Sequence, residues 1–405
     1  AANRKNIGYA ALSKLYHELG LHTFFSNNSR PFKSKFNTNN IMKLLIYSRI
    51  LSPASKKKTY ELKDRYFENN DFSLDDVYRC LTQVITFKDR LQKNLHQQIR
   101  DKYGRTTELV YYDVTNYYFE IDKQDELRKK GVGKEHRPDP LVQMGLLMDT
   151  KGIPIMYDLF PGNTNDCLTL MPVLDQVKKN YEIGKIIVVA DKGINTADNI
   201  AFCLAKGDGY IYSQTVRGGN KELKAFVLDP SGYRQFGDGY KIKSRLYPRE
   251  IAVSNAEGGR TKIRIDEKQV VFYSPDYDRR AKADREPALL KARDLVKNPS
   301  RYNKTISYGA AKYVKNLVFD PKTGEIVTTK QKPVFNEARL REEEKFDGYY
   351  AIVTSEWRKS DEEIIDIYRG LWCIEEAFKV TKSDLETRPV FLSRDDHIRA
   401  HFLER

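Results

Sequence analysis

The sequence predicts an α/β fold built on a mixed sheet with helices on its faces. From about residue 106 onwards, segments with the two-residue alternation of strands are interleaved with segments of helical periodicity. One apolar run, "IIVVA", has the composition of a central strand that is covered on both faces. The order strand, hairpin, helix, strand, helix, strand, long insertion, strand, helix packs most simply as such a sheet.

Residues 1–105 are predicted to form a helical region. In "AALSKLYHELGLHTFF" the apolar residues recur at three- and four-residue steps, and "SLDDVYRCLTQVITFKDRLQKNLHQQIRDKY" opens with Ser73 as a helix cap. The basic segment "SKKKTYELKDRY" lies between helical segments. It is either a solvated surface or a DNA contact, and the sequence leaves both interpretations open.

Residues 106–217 change to a strand pattern and form the first part of the predicted core. The segment "YYDVTNYYFE" is the first strand, and the turn "DTKG" joins two further strands into a hairpin. The remaining elements follow in the order helix, strand, helix, strand: "DCLTLMPVLDQVKKNYE", "IIVVA", "NTADNIAFCLAKG" and "DGYIYSQTV".

Residues 218–345 read as a basic, strand-rich stretch, and residues 346–405 return to the core pattern. The stretch contains the strand "KQVVFYS", a charged helical segment interrupted by Pro287, and two strands around the turn "DPKTGE". After it, "FDGYYAIVTS" is a strand. A long helix then begins after its cap Ser360 and ends before Pro389.

The charge of the chain suggests its partner. Lys and Arg number 70 against 56 Asp and Glu, which gives a net charge of +14 and a pI near 9.3. Together with 26 tyrosines and 19 phenylalanines, this charge suits nucleic acid; a merely basic enzyme is the alternative. The four cysteines and six histidines are scattered without zinc-type spacing. No apolar run approaches the roughly 20 residues that span a bilayer, so no membrane partner is expected.

Three acidic residues stand at positions that suggest chemistry. Asp113 lies mid-strand, where Asp is rare and a buried unpaired carboxylate is costly. Asp191 follows "IIVVA", at the strand edge where open α/β sheets hold ligands. Glu375 lies on the late helix; Tyr368, Glu375 and Lys382 are spaced by seven residues, so they share one face at about 3.6 residues per turn.

The three acids converge if the first strand lies beside "IIVVA" and the late helix packs over both. Clustered carboxylates repel one another unless a cation neutralises them, and oxygen ligands with few His or Cys select Mg²⁺ or Mn²⁺. Each acid also has a simpler interpretation. Asp113 could face solvent from an edge strand, Asp191 could be a turn residue, and Glu375 could be a solvated residue whose neighbour Glu376 competes for its role.

Four segments carry a resemblance to a known family: "YYDVTNYYFE", "HRPDPLVQMGLLMDTKGIPIMYDLFPGNTND", "IIVVADKGINTADNI" and "YRGLWCIEEAFKVTKSDLETRPVF". The chain resembles the DDE transposases of bacterial insertion sequences. Within them it is most similar to the insertion-sequence-4-like group with a Tyr-Arg-Glu-Lys signature, in its 1634-type branch. The resemblance implies a ribonuclease-H-like core. It also implies that residues 218–345 are a β-rich insertion domain between the second acid and the glutamate.

The resemblance also implies roles for individual residues. The catalytic and metal-binding acids match Asp113, Asp191 and Glu375, with two Mg²⁺ or Mn²⁺ ions per active site. The signature arginine falls on Leu371, a departure, and Arg369 projects from a different face of the helix. The "EHRPD" loop is either a DNA contact or a salt-bridged loop. The expected DNA-binding residues are Tyr368, Arg369, Lys382, His136, Arg137 and Lys379.

The implied reaction is cleavage of phosphodiester bonds at transposon ends, followed by attack of the freed 3′-hydroxyl on target DNA. The implied partners are double-stranded DNA and a second copy of the chain, in a homodimer on two ends. Residues 1–105 are expected to bind the transposon end, in a bacterial, cytoplasmic and nucleoid-associated setting. The chain stops within the helical pattern "HIRAHFLER", and the sequence leaves open whether the C-terminus is truncated.

Two other functions compete with this one. A structure-specific, metal-dependent DNA nuclease would share the fold and the metals, and strand joining would distinguish it from a transposase. A transposase-derived DNA-binding protein without catalysis is the third possibility. The presence of all three candidate acids disfavours it.

Overall fold

A computed structural model describes residues 5–131, 133, 138–181, 183–327 and 331–404. The described helices include none that is both long and apolar enough to cross a bilayer. In chain order, the helices are α1 (Tyr9–Glu18), α2 (Leu21–Ser29), α3 (Thr38–Leu51), α4 (Lys56–Glu61), α5 (Leu74–Ile85), α6 (Lys88–Tyr103), α7 (Leu170–Tyr181), α8 (Ala197–Ala205), α9 (Lys221–Leu228), α10 (Pro275–Lys297), α11 (Glu337–Glu344), α12 (Asp361–Arg369), α13 (Trp372–Lys379) and α14 (Asp395–Leu403).

The strands of the described chain form a mixed α/β fold with these helices, as the sequence pattern predicts. In chain order, they are β1 (Leu109–Tyr118), β2 (Leu141–Met148), β3 (Pro154–Pro161), β4 (Ile187–Ala190), β5 (Gly209–Gln214), β6 (Arg234–Gln235), β7 (Lys241–Leu246), β8 (Arg249–Ser254), β9 (Arg260–Ile265), β10 (Lys268–Tyr273), β11 (Val314–Lys315), β12 (Val334–Phe335) and β13 (Tyr349–Thr354).

The chain divides into two compact units. The first comprises residues 1–210, 252–261 and 366–405, and the second comprises residues 211–251 and 262–365. The first unit begins with the helical region, as predicted, but Gly20 separates α1 from α2. Its φ of 67° is a left-handed conformation that glycine adopts without strain. The helices pack around a core of buried aromatic and aliphatic side chains that includes Phe25, Ile41 and Tyr47.

The sheet of the first unit has the strand order β3-β2-β1-β4. The β2–β3 hairpin is confirmed, and its turn at Asp149–Gly152 is closed by a hydrogen bond from the Gly152 amide to the Asp149 carbonyl oxygen. The pairing of β1 with β2 is antiparallel, whereas β1 and β4 are parallel. β1 therefore lies inside the sheet with a neighbour on each side, which excludes the edge-strand interpretation of Asp113.

The second unit has an antiparallel sheet in the order β5-β13-β10-β7-β6. Its core joins side chains of β10 and β13 with those of α9, including Val271, Ala351 and Val227. A separate cluster around Leu289, Ala292 and Leu295 anchors α10. The unit is a mixture of strands and helices.

Three elements differ from the sequence prediction. α10 continues through Pro287 as one helix of 23 residues. Its buried leucines offset the cost of a proline inside a helix, about 3 kcal/mol. Around "DPKTGE" the described residues form isolated bridges instead of two strands, between Phe319 and Ile326 and between Asn303 and Glu325. The predicted late helix is not continuous: α12 ends at Arg369, α13 begins at Trp372, and a π-helical turn follows at Val380–Asp384.

Candidate active site

Asp113 lies on β1, on the face of the sheet that α12 and α13 cover. Alternate residues of a strand point to one face, so Tyr111, Asp113 and Tyr117 share a face. Tyr111 donates a hydrogen bond from its hydroxyl to the carbonyl oxygen of Ile367, at 3.1 Å, at the end of α12. The half-buried carboxylate of Asp113 therefore faces the late helices.

Asp191 lies next to Asp113 because of the parallel register of β1 and β4. In that register Leu109 pairs with Ile187, and Tyr112 pairs with Ala190. One further residue along each chain brings Asp113 level with Asp191, on strands separated by about 4.8 Å. Tyr368 donates a hydrogen bond to Asp191 Oδ1 at 3.3 Å, so the Asp191 carboxylate also faces α12.

Glu375 lies on α13, and its side chain is exposed. The seven-residue spacing argument assumed one continuous helix, and this assumption is wrong because of the break at Gly370–Leu371 and the π-helical turn. Across the described ranges, no three His, Cys, Asp or Glu side chains are grouped so that they could hold a metal ion. The structure thus brings the two aspartates together, and the convergence of Glu375 on them stays a prediction.

Lys382 is a basic residue that lies against this face. Its Nζ lies 5.5 Å from the ring centroid of Tyr117, which is on the same face of β1 as Asp113. Such a contact orients an ammonium group without neutralising it. Lys382 is therefore placed along the same strand face as the aspartates, four residues further along β1 than Asp113.

Of the other residues predicted to contact DNA, some lie on the surface and some lie outside the residues that the structure describes. Arg369 is exposed and lies 3.5 Å from Asp366, and Lys379 lies 3.6 Å from Glu376. Glu376, the competitor of Glu375, thus has a surface ion pair one helical turn away. Leu371, at the place of the signature arginine, is only 8% exposed. His136 and Arg137 lie outside the described residues.

Sequence reasoning missed four residues that connect β1 to the late helices. They contact one another in pairs: Tyr111 with Gly370, and Tyr117 with Thr381. Burial raises the pKa of Tyr111 to about 12, so its hydroxyl remains a donor at neutral pH. The sequence did contain a signal for the two tyrosines. The two-residue alternation of "YYDVTNYY" places Tyr111 before Asp113 and Tyr117 after it, on the same face of the strand.

The donor set of the site fits a hard divalent cation. By the register of β1 and β4, Asp113 and Asp191 are carboxylates on neighbouring strands, and like charges in such positions repel. Oxygen ligands of this kind are those that Mg²⁺ and Mn²⁺ prefer. Two carboxylates on neighbouring parallel strands can hold such an ion in common, and α13, the helix that contains Glu375, packs against β1.

A comparison with protein families finds one family that matches most of the chain. The model described as "Transposase DDE domain" matches residues 119–404, which is more than half of the chain. The matched range contains Asp191 and Glu375 and begins six residues after Asp113. No curated protein matches the chain.

Two solved structures show a limited likeness. One is the piggyBac transposase synaptic complex with hairpin DNA, at 11% identity and a TM-score of 0.33, covering 57% of this chain and 52% of that one. The other is the Mos1 transposase paired-end complex with left transposon end, at 12% identity and a TM-score of 0.18, covering 42% and 57%. The chain thus covers little more than half the length of either. By the match of its residues 119–404, the chain belongs to the family of transposases with a DDE domain.

Proposed function

We propose that the protein is a DNA transposase that cuts phosphodiester bonds at transposon ends and joins the freed 3′-hydroxyl to target DNA. The observation that carries this proposal is the placement of Asp113 beside Asp191 on neighbouring parallel strands, in a chain of the DDE transposase family. Within that family we assign it to the insertion-sequence-4-like group with a Tyr-Arg-Glu-Lys signature, with a ribonuclease-H-like core.

The acids would act through bound metal. Asp113, Asp191 and Glu375 would hold Mg²⁺ or Mn²⁺, two ions per site, which when bound activate an attacking oxygen and stabilise a leaving oxygen. Tyr368 would orient the Asp191 carboxylate through its hydroxyl, at 3.3 Å. Lys382, held over the Tyr117 ring, would contact a phosphate of the DNA strand at the site.

The remaining surface would bind DNA over a larger area. The net charge of +14 supports a polyanionic partner. We assign end recognition to the helical region 1–105 and additional contacts to the basic insertion, and we assign Arg369 and Lys379 to the DNA backbone. His136 and Arg137 are proposed as contacts on sequence grounds. Two copies of the chain would pair two transposon ends.

Cleavage of a labelled transposon end tests this function. We expect cutting by the wild-type protein with Mg²⁺ and none with EDTA. Asp113→Asn, Asp191→Asn and Glu375→Gln should each abolish cutting and retain DNA binding. Glu376→Gln is the matched control for the neighbouring glutamate and should cut like the wild type.

Joining of the cut end to a target plasmid separates a transposase from a structure-specific nuclease. Cutting without joining would favour the nuclease. DNA binding with no metal-dependent cutting would favour a DNA-binding protein that has lost catalysis. Normal cutting by Glu375→Gln together with loss in Glu376→Gln would show that the helix register assigned to the third acid is wrong.

A further inference from the structure

We infer that Tyr111 and Tyr117 fasten the two ends of α13 to β1 and thereby position Glu375 opposite Asp113. This inference rests on the proposed function, because it assigns a positioning role to residues around the proposed metal site. It concerns Tyr111, Gly370, Tyr117 and Thr381, which neither the family resemblance nor the sequence pattern singled out.

The N-terminal fastening point is Tyr111 against Gly370. The Tyr111 hydroxyl donates to the Ile367 carbonyl oxygen at 3.1 Å. A Cβ atom on Gly370 would overlap the hydroxyl oxygen and Cζ of Tyr111. A glycine at position 370 therefore leaves room for the Tyr111 hydroxyl, and a larger residue there would push the start of α13 away from the strand.

The C-terminal fastening point is Tyr117 against Thr381. The two hydroxyl oxygens lie 2.8 Å apart, and Thr381 also donates to the Phe378 carbonyl oxygen at 2.9 Å. Thr381 belongs to the π-helical turn Val380–Asp384 that ends α13. The ring of Tyr117 packs edge-on against Phe402 of α14, with centroids 4.8 Å apart, so this tyrosine is itself held in place.

The dimensions of strand and helix agree with two fastening points on either side of one site. From Tyr111 to Tyr117 a strand advances about 20 Å at 3.3 Å per residue. From Gly370 to Thr381 a helix advances about 16 Å at 1.5 Å per residue. The helical segment thus runs alongside the strand, with Asp113 between the two tyrosines on β1 and Glu375 between Gly370 and Thr381.

Lateral contacts are needed because α13 does not continue α12. At the junction the amides bond three residues back: Leu371 to Tyr368, Cys373 to Gly370, and Ile374 to Leu371. A junction of this kind leaves the direction of the second helix undetermined by the first. The contacts of Tyr111 and Tyr117 therefore determine where α13 carries Glu375.

The test compares Tyr111→Phe and Gly370→Ala with two matched controls. Tyr112→Phe removes a buried hydroxyl from the same strand, one that donates to Thr169 Oγ1 at 2.7 Å on the opposite face. Gly184→Ala adds a methyl group where nothing lies within 4 Å. The readouts are Mn²⁺ affinity of the full chain, from the electron paramagnetic resonance signal of free Mn²⁺, and the Mn²⁺ concentration for half-maximal cleavage.

We expect Tyr111→Phe and Gly370→Ala to weaken Mn²⁺ binding about tenfold, as outer contacts of metal ligands do. Saturating Mn²⁺ should restore the Tyr111→Phe cleavage rate, and both controls should bind Mn²⁺ like the wild type. Unchanged affinity in Tyr111→Phe and Gly370→Ala, or equal weakening in Tyr112→Phe, would overturn the inference while cleavage by the wild type still supports the proposed function. A wild-type protein that neither binds Mn²⁺ nor cuts would overturn both.

Discussion

The two units place charge on their strands in opposite ways. In the second unit, β7 carries Lys241, Lys243 and Arg245 on alternate positions of one face, and each lies over aromatic rings. Lys243 is only 4% exposed, and its ammonium group donates to the carbonyl oxygens of Asp229 and Ser231. The rings that these cations contact, at 4.2 to 5.2 Å, are Phe226, Tyr233, Tyr247, Tyr273 and Tyr349.

In the first unit, the middle of β1 and the end of β4 place like charges together. The register of the two strands brings Asp113 level with Asp191, and like charges on neighbouring strands repel. The cations of β7 lie over aromatic rings of their own unit, and Lys243 also donates to two carbonyl oxygens, so packing accounts for their positions. The difference indicates that the cations of β7 support the fold of their unit, whereas a functional role for the two aspartates stays a prediction.

Removing one aspartate should give the largest effect. Asp113→Asn should lower the cleavage rate on the order of 10³-fold or more, because a ligand of the proposed metal site is lost. The free energy of unfolding should stay the same or rise, since a like-charge neighbour of Asp191 is removed. Initial cleavage rates and denaturant unfolding measure the two quantities. Retained cleavage would show that Asp113 is not part of the site.

The opposite result is expected for a cation of β7. Lys243→Met should lower the free energy of unfolding by about 1–3 kcal/mol, through lost charge-assisted hydrogen bonds and ring contacts. Cleavage per folded molecule should not change. Lys262→Met is the control: Lys262 is 75% exposed and pairs with Glu250 at 3.4 Å, so the loss should stay below about 0.5 kcal/mol. Equal losses of unfolding free energy in Lys243→Met and Lys262→Met would show that a buried cation of β7 stabilises the fold no more than an exposed lysine does.

Protonation of histidines should act through the first unit, because every histidine of the sequence lies outside residues 211–251 and 262–365. His96 is buried against Tyr181, with ring centroids 5.0 Å apart, and burial lowers its pKa to about 4. The unfolded chain then binds more protons than the folded chain between about pH 6.5 and 4, so stability falls as the pH falls through that window.

We expect His96 to contribute on the order of 1–2 kcal/mol to this loss, once solvent screening is allowed for. His96→Phe keeps the stacking on Tyr181 and should flatten the dependence of unfolding free energy on pH in this range. An unchanged slope in His96→Phe would assign the acid sensitivity to other groups.

The smallest effect is expected for a single phosphate contact. Lys382→Met should weaken binding of all DNA sequences alike and reduce the slope of log affinity against log salt by about one. Fluorescence anisotropy at several salt concentrations measures that slope. Sequence-dependent weakening would instead make Lys382 a base contact.

The elements close to the site were predictable from local pattern. The alternation of "YYDVTNYYFE" and the apolar run before Asp191 predicted β1 and β4, and the turn residues of "DTKG" predicted the hairpin. The position of an acid within or directly after a strand is visible in the sequence. That the two strands are parallel neighbours in register is a tertiary fact, which the sequence permitted but did not require.

The break in the late helix was not visible in the local pattern. Glycine alone is weak evidence for a helix break, and the close approach of Tyr111 to Gly370 is a long-range contact that the sequence does not reveal. The same holds for Pro287, where buried leucines of α10 outweigh the local preference to stop. Local patterns describe the strands well, and long-range packing decides how the helices are interrupted.

Anomalous diffraction from crystals of the full chain soaked in Mn²⁺ tests the central claim most directly. The account predicts a manganese peak that is coordinated by carboxylate oxygens of both Asp113 and Asp191, with Glu375 as a further ligand. A manganese ion bound elsewhere, with these two side chains turned away from each other, would contradict it.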